Sequence, residues 1–95
     1  MAAEADQQRC EVYYQGMVQG VGFRYTARRI AAQYAVTGFV RNLPDGRVSL
    51  VVEGAVGEIE DFLLAIQDSL GRYIDGIEQS MSPARDEFRE FSIRH

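Results

Sequence analysis

Residues 16–24, with the sequence GMVQGVGFR, combine residue types that bind phosphate in proteins. The residues before this stretch alternate as in a β-strand and those after it repeat as in an α-helix, so a turn is predicted between the two. Gly20 and Gly22 leave backbone N–H groups accessible to a ligand, and the first N–H groups of a helix have no partner within it. The helix dipole adds partial positive charge at that end, and Arg24 adds a permanent charge with a planar fork of donors. We therefore predict a phosphate-binding cradle.

The same glycines allow a simpler interpretation. Turns between a strand and a helix are often rich in glycine for steric reasons alone, and two glycines one residue apart are weak support for a ligand site. Composition and spacing by themselves leave both a phosphate site and a purely structural turn open.

The composition is that of one small globular domain, with 95 residues, 46% hydrophobic and 25% charged. Residues 1–9 are polar and small, and we expect them to form a disordered tail before a single domain over residues 10–95. They contain no apolar run, and no window approaches the roughly 20 apolar residues of a membrane span, so a cytoplasmic location without membrane attachment is expected. Cys10 is the single cysteine, which excludes an internal disulfide or a thiolate metal cluster supplied by this chain alone.

The charged residues favour a small anion over a nucleic acid as the partner. The formal net charge is −4, and all ten basic residues are arginines, which excludes lysine nucleophiles and Schiff bases. Half of them fall between positions 24 and 47, namely Arg24, Arg28, Arg29, Arg41 and Arg47. Arg28 and Arg29 are interpreted as solvated surface charge, yet the local positive field would still attract a small anion.

The apolar periodicity predicts an α+β chain in the order β-α-β-β-α-β. The predicted strands span residues 10–18, 36–42, 47–53 and 74–81, the helices span 24–34 and 56–70, and a possible last strand spans 88–94. Both helices are amphipathic and the strands alternate, which predicts two layers, with the helices on one face of an antiparallel sheet of four or five strands. A crossover helix makes the first two strands parallel with the third between them, so their carboxyl ends share one edge about 10 Å apart. Asn42, at the end of the second strand, is therefore expected to face the cradle.

Two long stretches make the sequence resemble the acylphosphatase family. Residues 16–24 resemble its first signature, G-x-V-Q-G-V-x-F-R, and residues 38–54, beginning GFVRNLPDGRV, resemble its second. The last five residues, FSIRH, are similar to the C-terminal strand of the family, with His95 where a tyrosine is usual. The resemblance covers residues 10–95 and implies a ferredoxin-like fold that hydrolyses carboxyl-phosphate mixed anhydrides without a metal or a cofactor.

The resemblance also implies roles for individual residues. The backbone of residues 19–24 would bind the phosphoryl group, Arg24 would be the phosphate-binding arginine, and Asn42 would hold the attacking water. The residues of this predicted loop are Gln19, Gly20, Val21, Gly22, Phe23 and Arg24. Residues 71–77 depart from the proline-containing pattern often found after the second helix, which affects the expected start of the fourth strand.

The residues fit a reaction that needs neither a covalent intermediate nor a general acid. A carboxylate leaving group, whose conjugate acid has a pKa near ~4, departs without protonation. A phosphocysteine enzyme would need Cys-x5-Arg, but Val18 lies six positions before Arg24; the only histidine is the last residue, His95. If residues 88–94 paired antiparallel with 74–81, the terminal carboxylate of His95 would return to the cradle edge and could pair with Arg24.

Two other functions remain as alternatives. Domains of this element order also bind single-stranded RNA through aromatic residues on the sheet, and Tyr13 is predicted to lie on the open face, so a non-catalytic module for single-stranded RNA or a small anion is the main alternative. The second is an acylphosphatase-like module of a larger carbamoyl-transfer maturation enzyme. The favoured interpretation is a monomeric hydrolase for a small-molecule acyl phosphate, with no nucleic-acid partner.

Overall fold

A computed structural model of the chain describes residues 7–95. Within this range five β-strands and two α-helices follow one another, and a short 3-10 turn, Gly71–Tyr73, precedes the fourth strand. The strands are β1 (Gln7–Gly16), β2 (Val36–Asn42), β3 (Val48–Ala55), β4 (Ile74–Pro83) and β5 (Phe91–Arg94), and the helices are α1 (Phe23–Ala31) and α2 (Val56–Leu70).

The strands form one sheet in the order β4-β1-β3-β2-β5. β1 pairs antiparallel with β3 and β4, and β2 pairs antiparallel with β3, so β3 separates the parallel strands β1 and β2 as predicted. Both helices pack on one face of this sheet, which we call the helix face; the opposite face is the open face. The predicted ferredoxin-like two-layer sandwich is confirmed.

The core lies between the helices and the sheet because the apolar residues of each element recur with the period of that element. Its fully buried side chains include Cys10, Val12 and Tyr14 on β1, Val48, Leu50 and Val52 on β3, Phe23 and Ala27 on α1, and Ile59, Phe62 and Ile66 on α2. Burying each of the Val, Leu, Ile and Phe side chains among them stabilises the fold by about 1.5–3 kcal/mol. Within residues 7–95, neither helix has the length and apolar character needed to cross a bilayer.

The last strand differs from the prediction. β5 pairs with β2, in parallel, with Gly38 opposite Phe91 and Arg41 opposite Arg94, so the sheet is mixed rather than wholly antiparallel. The connecting residues 84–90 run across the open face, where Phe88 packs edge-on against Phe39 at a centroid distance of 5.8 Å. On the helix face, Phe91 packs against the buried ring of Phe62 at 5.3 Å. These contacts favour the edge of β2 over that of β4.

The first elements also differ in their bounds. β1 begins at Gln7, so residues 7–9, predicted to belong to the disordered tail, form part of the sheet; the rest of that predicted tail lies outside the described residues. β1 ends at Gly16, two residues before its predicted end, and α1 ends at Ala31 instead of continuing to residue 34.

Candidate functional site

The loop that joins β1 to α1 depends on two glycines in the left-handed region of backbone conformation. Gly20 has φ +80° and Gly22, the N-cap of α1, has φ +77°. An ordinary L-residue in this backbone conformation is less stable by about 1–2 kcal/mol, because its Cβ approaches the carbonyl oxygen. A Cβ at either position would meet no atom within 4 Å, so crowding does not explain these glycines. The backbone path itself requires them, and it leaves the loop open on that side.

The backbone N–H groups of this loop are available to a ligand. In the part of the chain that the structure describes, those of residues 19–25 donate to no protein acceptor, and the first hydrogen bond of the helix runs from the N–H of Thr26 to the carbonyl of Gly22, over 2.9 Å. No acidic side chain lies in the first turn of α1 to neutralise the positive end of its dipole. The loop therefore offers amide donors and partial positive charge to an anion.

One cavity brings most of the predicted site residues together. It has a volume of about 270 Å³ and is lined by Val18, Gly20, Gly22, Phe23, Arg24, Tyr25 and Asn42. The predicted proximity of Asn42 and Arg24 is thus present, because the carboxyl ends of β1 and β2 meet at one edge of the sheet. The lining contains no Asp, Glu, His, Cys or Lys side chain, so the charge of Arg24 faces the cavity without a carboxylate beside it.

Larger depressions on the molecule are less suited to an anion. The one between α2 and β4, with a volume of about 310 Å³, is lined by apolar and amide side chains together with Glu60 and has no arginine. Another, of about 460 Å³, includes Arg47, but Asp45 and Glu78 line it as well. Carboxylates repel a phosphate at such close range. Arg24 therefore marks the better anion site.

Two residues of the predicted loop do not line the cavity. Gln19 points toward the connection between β2 and β3, where its Nε2 donates to the carbonyls of Leu43 and Arg47 over 2.8 and 2.9 Å. Val21 is half-buried and packs against the core. The side chain of Gln19 thus fastens the loop to the residue that follows Asn42. The sequence prediction considered only the backbone of Gln19 and missed this contact.

His95 contacts Arg24 in a way that differs from the prediction. Arg24 Nη1 lies 3.2 Å from the ring nitrogen Nδ1 of His95. Among residues 7–95, Arg24 forms no ion pair with the terminal carboxylate, which was the predicted partner. The parallel pairing of β5 with β2 carries the end of β5 to the edge where Asn42 lies. His95 therefore reaches the predicted edge of the sheet, but through parallel pairing of β5 with β2. It contacts Arg24 through its ring and not through its carboxylate.

Two ionisable side chains of β1, those of Cys10 and Tyr14, are buried in the core and do not line the cavity. Burial raises the pKa of the Cys10 thiol, with a smaller contribution from Glu11, and this thiol lies in the core with none of its surface exposed. Burial likewise raises the pKa of Tyr14. In residues 7–95, no three His, Cys, Asp or Glu side chains are grouped so that they would hold a metal ion. The arrangement can bind an anion and orient a small polar molecule beside it.

The chain is similar in sequence and in fold to known acylphosphatases. The sequence profile of the acylphosphatase family matches residues 10–93. An acylphosphatase of Lactobacillus johnsonii is 39% identical over 80 residues, which cover 82% of this chain and 88% of that protein. The crystal structure of acylphosphatase from Bacillus subtilis has a TM-score of 0.84 at 28% identity and covers 93% of this chain and 99% of its own.

A longer protein contains a similar domain. The crystal structure of HypF from T. kodakarensis has a TM-score of 0.79 at 33% identity, and the match covers 93% of this chain but 12% of that one. The match therefore reflects one domain of HypF and not its whole length. Because the family profile covers nearly all of the described residues, including the cradle and Asn42, this chain belongs to the acylphosphatase family.

Proposed function

We propose that this chain hydrolyses acyl phosphates, the mixed anhydrides of a carboxylic acid and phosphoric acid, to a carboxylate and inorganic phosphate. The observation that carries this proposal is the shared cavity of Arg24, Asn42 and the two loop glycines, in a chain of the acylphosphatase family. A substrate of this kind fits a site that has donors for a phosphoryl group and whose lining contains no carboxylate, thiol or lysine side chain.

The loop and Arg24 bind the phosphoryl group. The free N–H groups of residues 19–24 donate to its non-bridging oxygens, and the planar guanidinium of Arg24 donates from a second direction. Such fixed donors stabilise the negative charge on the phosphoryl oxygens throughout the transfer and need no reorganisation when the transition state forms. The loop thus contributes both binding and transition-state stabilisation.

Asn42 orients the attacking water. Its side-chain carbonyl accepts a hydrogen bond from water, and its amide donates one to a phosphoryl oxygen or to the same water. The water oxygen attacks phosphorus in line with the bond to the acyl oxygen, which breaks with its electron pair to release the carboxylate. The proton of the water passes to a phosphoryl oxygen of the substrate. The carboxylate is stable as an anion, since its conjugate acid has a pKa of about 4, and requires no general acid.

The test is the hydrolysis of a synthetic acyl phosphate in the presence of excess EDTA, by wild type, Arg24→Gln and Asn42→Ala. We expect metal-independent turnover by the wild type and a loss of at least ~10²-fold in kcat/KM for each variant, as for removal of other preorganised donors. Arg28→Gln is the matched control, because Arg28 is an exposed arginine on the same helix. A wild-type rate in Arg24→Gln would contradict the proposal.

The alternative of an RNA-binding module is not favoured. The ring of Tyr13, which suggested it, is covered on the open face by the guanidinium of Arg47 at 4.8 Å. We also propose that the chain is monomeric, lies in the cytoplasm and has no nucleic-acid partner. Size-exclusion chromatography at micromolar concentration tests the first of these.

A further inference from the structure

The contact between Arg24 and His95 has one chemically consistent arrangement of protons. The guanidinium of arginine stays protonated and has donors but no acceptor, so Arg24 Nη1 donates in this contact. Nδ1 of His95 must then be the acceptor, which places the proton of the neutral ring on Nε2. The contact therefore requires a particular tautomer of the only histidine in the sequence.

Several contacts that do not involve Arg24 fix the strand that ends just before His95. β5 pairs with β2 as far as Arg94, opposite Arg41, and the N–H of Gly38 donates to the carbonyl of Glu90 over 3.0 Å just before this strand. On the helix face Phe91 packs on Phe62, and on the open face the guanidinium of Arg94 stacks over the ring of Phe39 at 3.9 Å. The residue that follows Arg94 is thus delivered to the cavity edge without help from Arg24.

We propose that His95 is a positioning residue, whose ring accepts a hydrogen bond from Arg24 and holds the guanidinium toward the phosphoryl group. This inference rests on the proposed function of the cavity. An arginine side chain has large rotamer freedom, and binding a ligand with an unrestrained arginine costs the entropy of ordering it. A partner that engages one edge of the guanidinium reduces this cost and leaves the remaining donors for the phosphoryl oxygens.

Two substitutions at His95 distinguish the effect of the hydrogen-bond acceptor Nδ1 from the effect of the ring itself. His95→Phe keeps a ring of similar size but has no acceptor, whereas Oδ1 in His95→Asn lies near the position of Nδ1 and retains the acceptor. We expect His95→Phe to weaken the binding of inorganic phosphate, measured by calorimetry, and to raise KM for an acyl phosphate, each by roughly 2- to 10-fold, the range for losing one hydrogen bond. His95→Asn is expected to restore both values to within about twofold of wild type.

The tautomer gives a measurement that does not depend on turnover. Ring ¹⁵N chemical shifts of His95 need no assignment among several histidines, and for the neutral ring they should report an unprotonated Nδ1 and a protonated Nε2. In Arg24→Gln, the Nδ1 resonance should move because the guanidinium donor is gone. An Nδ1–H tautomer in the wild type, or an unchanged resonance in Arg24→Gln, would overturn the inference.

The phosphate measurements decide the remaining outcomes. Wild-type phosphate affinity in His95→Phe, or equal losses in His95→Phe and His95→Asn, would also overturn the positioning role. If the wild type binds phosphate with the expected tautomer and the expected rescue but hydrolyses no acyl phosphate, the proposed function fails while the contact between His95 and Arg24 stands. The two proposals can therefore fail separately.

Discussion

Arg9 and Glu53 face each other across β1 and β3, and Arg9 Nη1 donates to Glu53 Oε2 over 3.0 Å while their side chains are only 8% and 4% exposed. Glu53 also accepts the backbone N–H groups of Arg85 and Asp86, at 2.9 and 3.0 Å. One buried carboxylate thus binds a strand residue and the start of the segment that crosses the open face. Because that segment leads to β5, the pair supports the path that brings His95 to the site.

The surrounding glutamates stabilise the charged form of Arg9. Burial by itself lowers the pKa of Arg9, but its hydrogen bonds to Glu53, Glu11 and Glu87 outweigh that effect and raise the pKa overall. The guanidinium therefore stays charged, and removing its buried partner leaves an uncompensated buried charge.

Glu53→Ala is expected to lower the free energy of unfolding by about 3–5 kcal/mol, the range for breaking a buried ion pair by removing one partner. Glu87→Ala is the matched control, because Glu87 also accepts from Arg9 Nη1, over 2.9 Å, but its side chain is 48% exposed. The control should cost no more than about 1 kcal/mol. Urea unfolding of both variants gives the comparison, and losses of similar size would contradict the role given to burial.

The parts of the fold that were predictable are those with local signals. β2 and α2 have the predicted bounds because an alternating stretch precedes the Pro44-Asp45-Gly46 turn, and a clean apolar stripe ends at Gly71. The partner of β5 was not predictable in this way. It involves residues far apart in the sequence, including the aromatic pairs Phe39–Phe88 and Phe62–Phe91. The buried pair of Arg9 and Glu53, which binds the connecting segment, lies at positions that the sequence pattern assigns to a tail and to a surface.

The same distinction applies to the site. Topology alone predicted that Asn42 and Arg24 would be near each other, since it determines which strand ends share an edge. The side-chain contacts of Gln19 and of the His95 ring depend on where those side chains point and on the register of the last strand. Neither leaves a periodic signal in the sequence.

Gly22→Ala is expected to reduce phosphate binding more than its effect on stability would suggest. Gly22 has φ +77° and Gly46, in the β2–β3 turn, has φ +98°, and an added Cβ meets no atom within 4 Å at either position. Both substitutions should therefore lower the free energy of unfolding by about 1–2 kcal/mol, because alanine disfavours this backbone conformation. Gly22→Ala moves the N-cap of α1 and should also weaken inorganic phosphate binding, whereas Gly46→Ala should not. Equal phosphate affinities in the two variants would argue against the cradle.

Gln19→Ala tests whether the loop must be fastened to the β2–β3 connection. The variant loses both hydrogen bonds from Nε2, to Leu43 and Arg47, and we expect a loss of about 1–2 kcal/mol in stability. The loop would then be less well ordered beside Asn42, and kcat/KM should fall by roughly 10-fold, as expected for a displaced binding group. Gln33→Ala, an exposed glutamine after α1, is the control for both measurements. An unchanged kcat/KM with reduced stability would limit Gln19 to a structural role.

The buried thiol of Cys10 should make the stability of the protein depend on pH in the alkaline range. Because burial raises the pKa of its thiol, the folded protein retains the proton at a pH where the unfolded chain, with a thiol pKa of about 8.5, has lost it. The unfolded state then binds fewer protons, so the free energy of unfolding should fall as pH rises above about 8.5, by at most about 1.4 kcal/mol per pH unit for this group. Below that pH the contribution is fully present.

Urea unfolding of wild type and Cys10→Ala between pH 7 and 9.5 isolates this contribution. The variant is expected to be less stable at every pH because a buried sulfur is removed, but its stability should change less between pH 8.5 and 9.5. Burial also raises the pKa of Tyr14. This residue affects the pH dependence of stability in both proteins only as the pH approaches about 10, the ordinary pKa of tyrosine. Identical pH slopes for the two proteins would mean that the Cys10 thiol ionises as readily in the folded state as in the unfolded one.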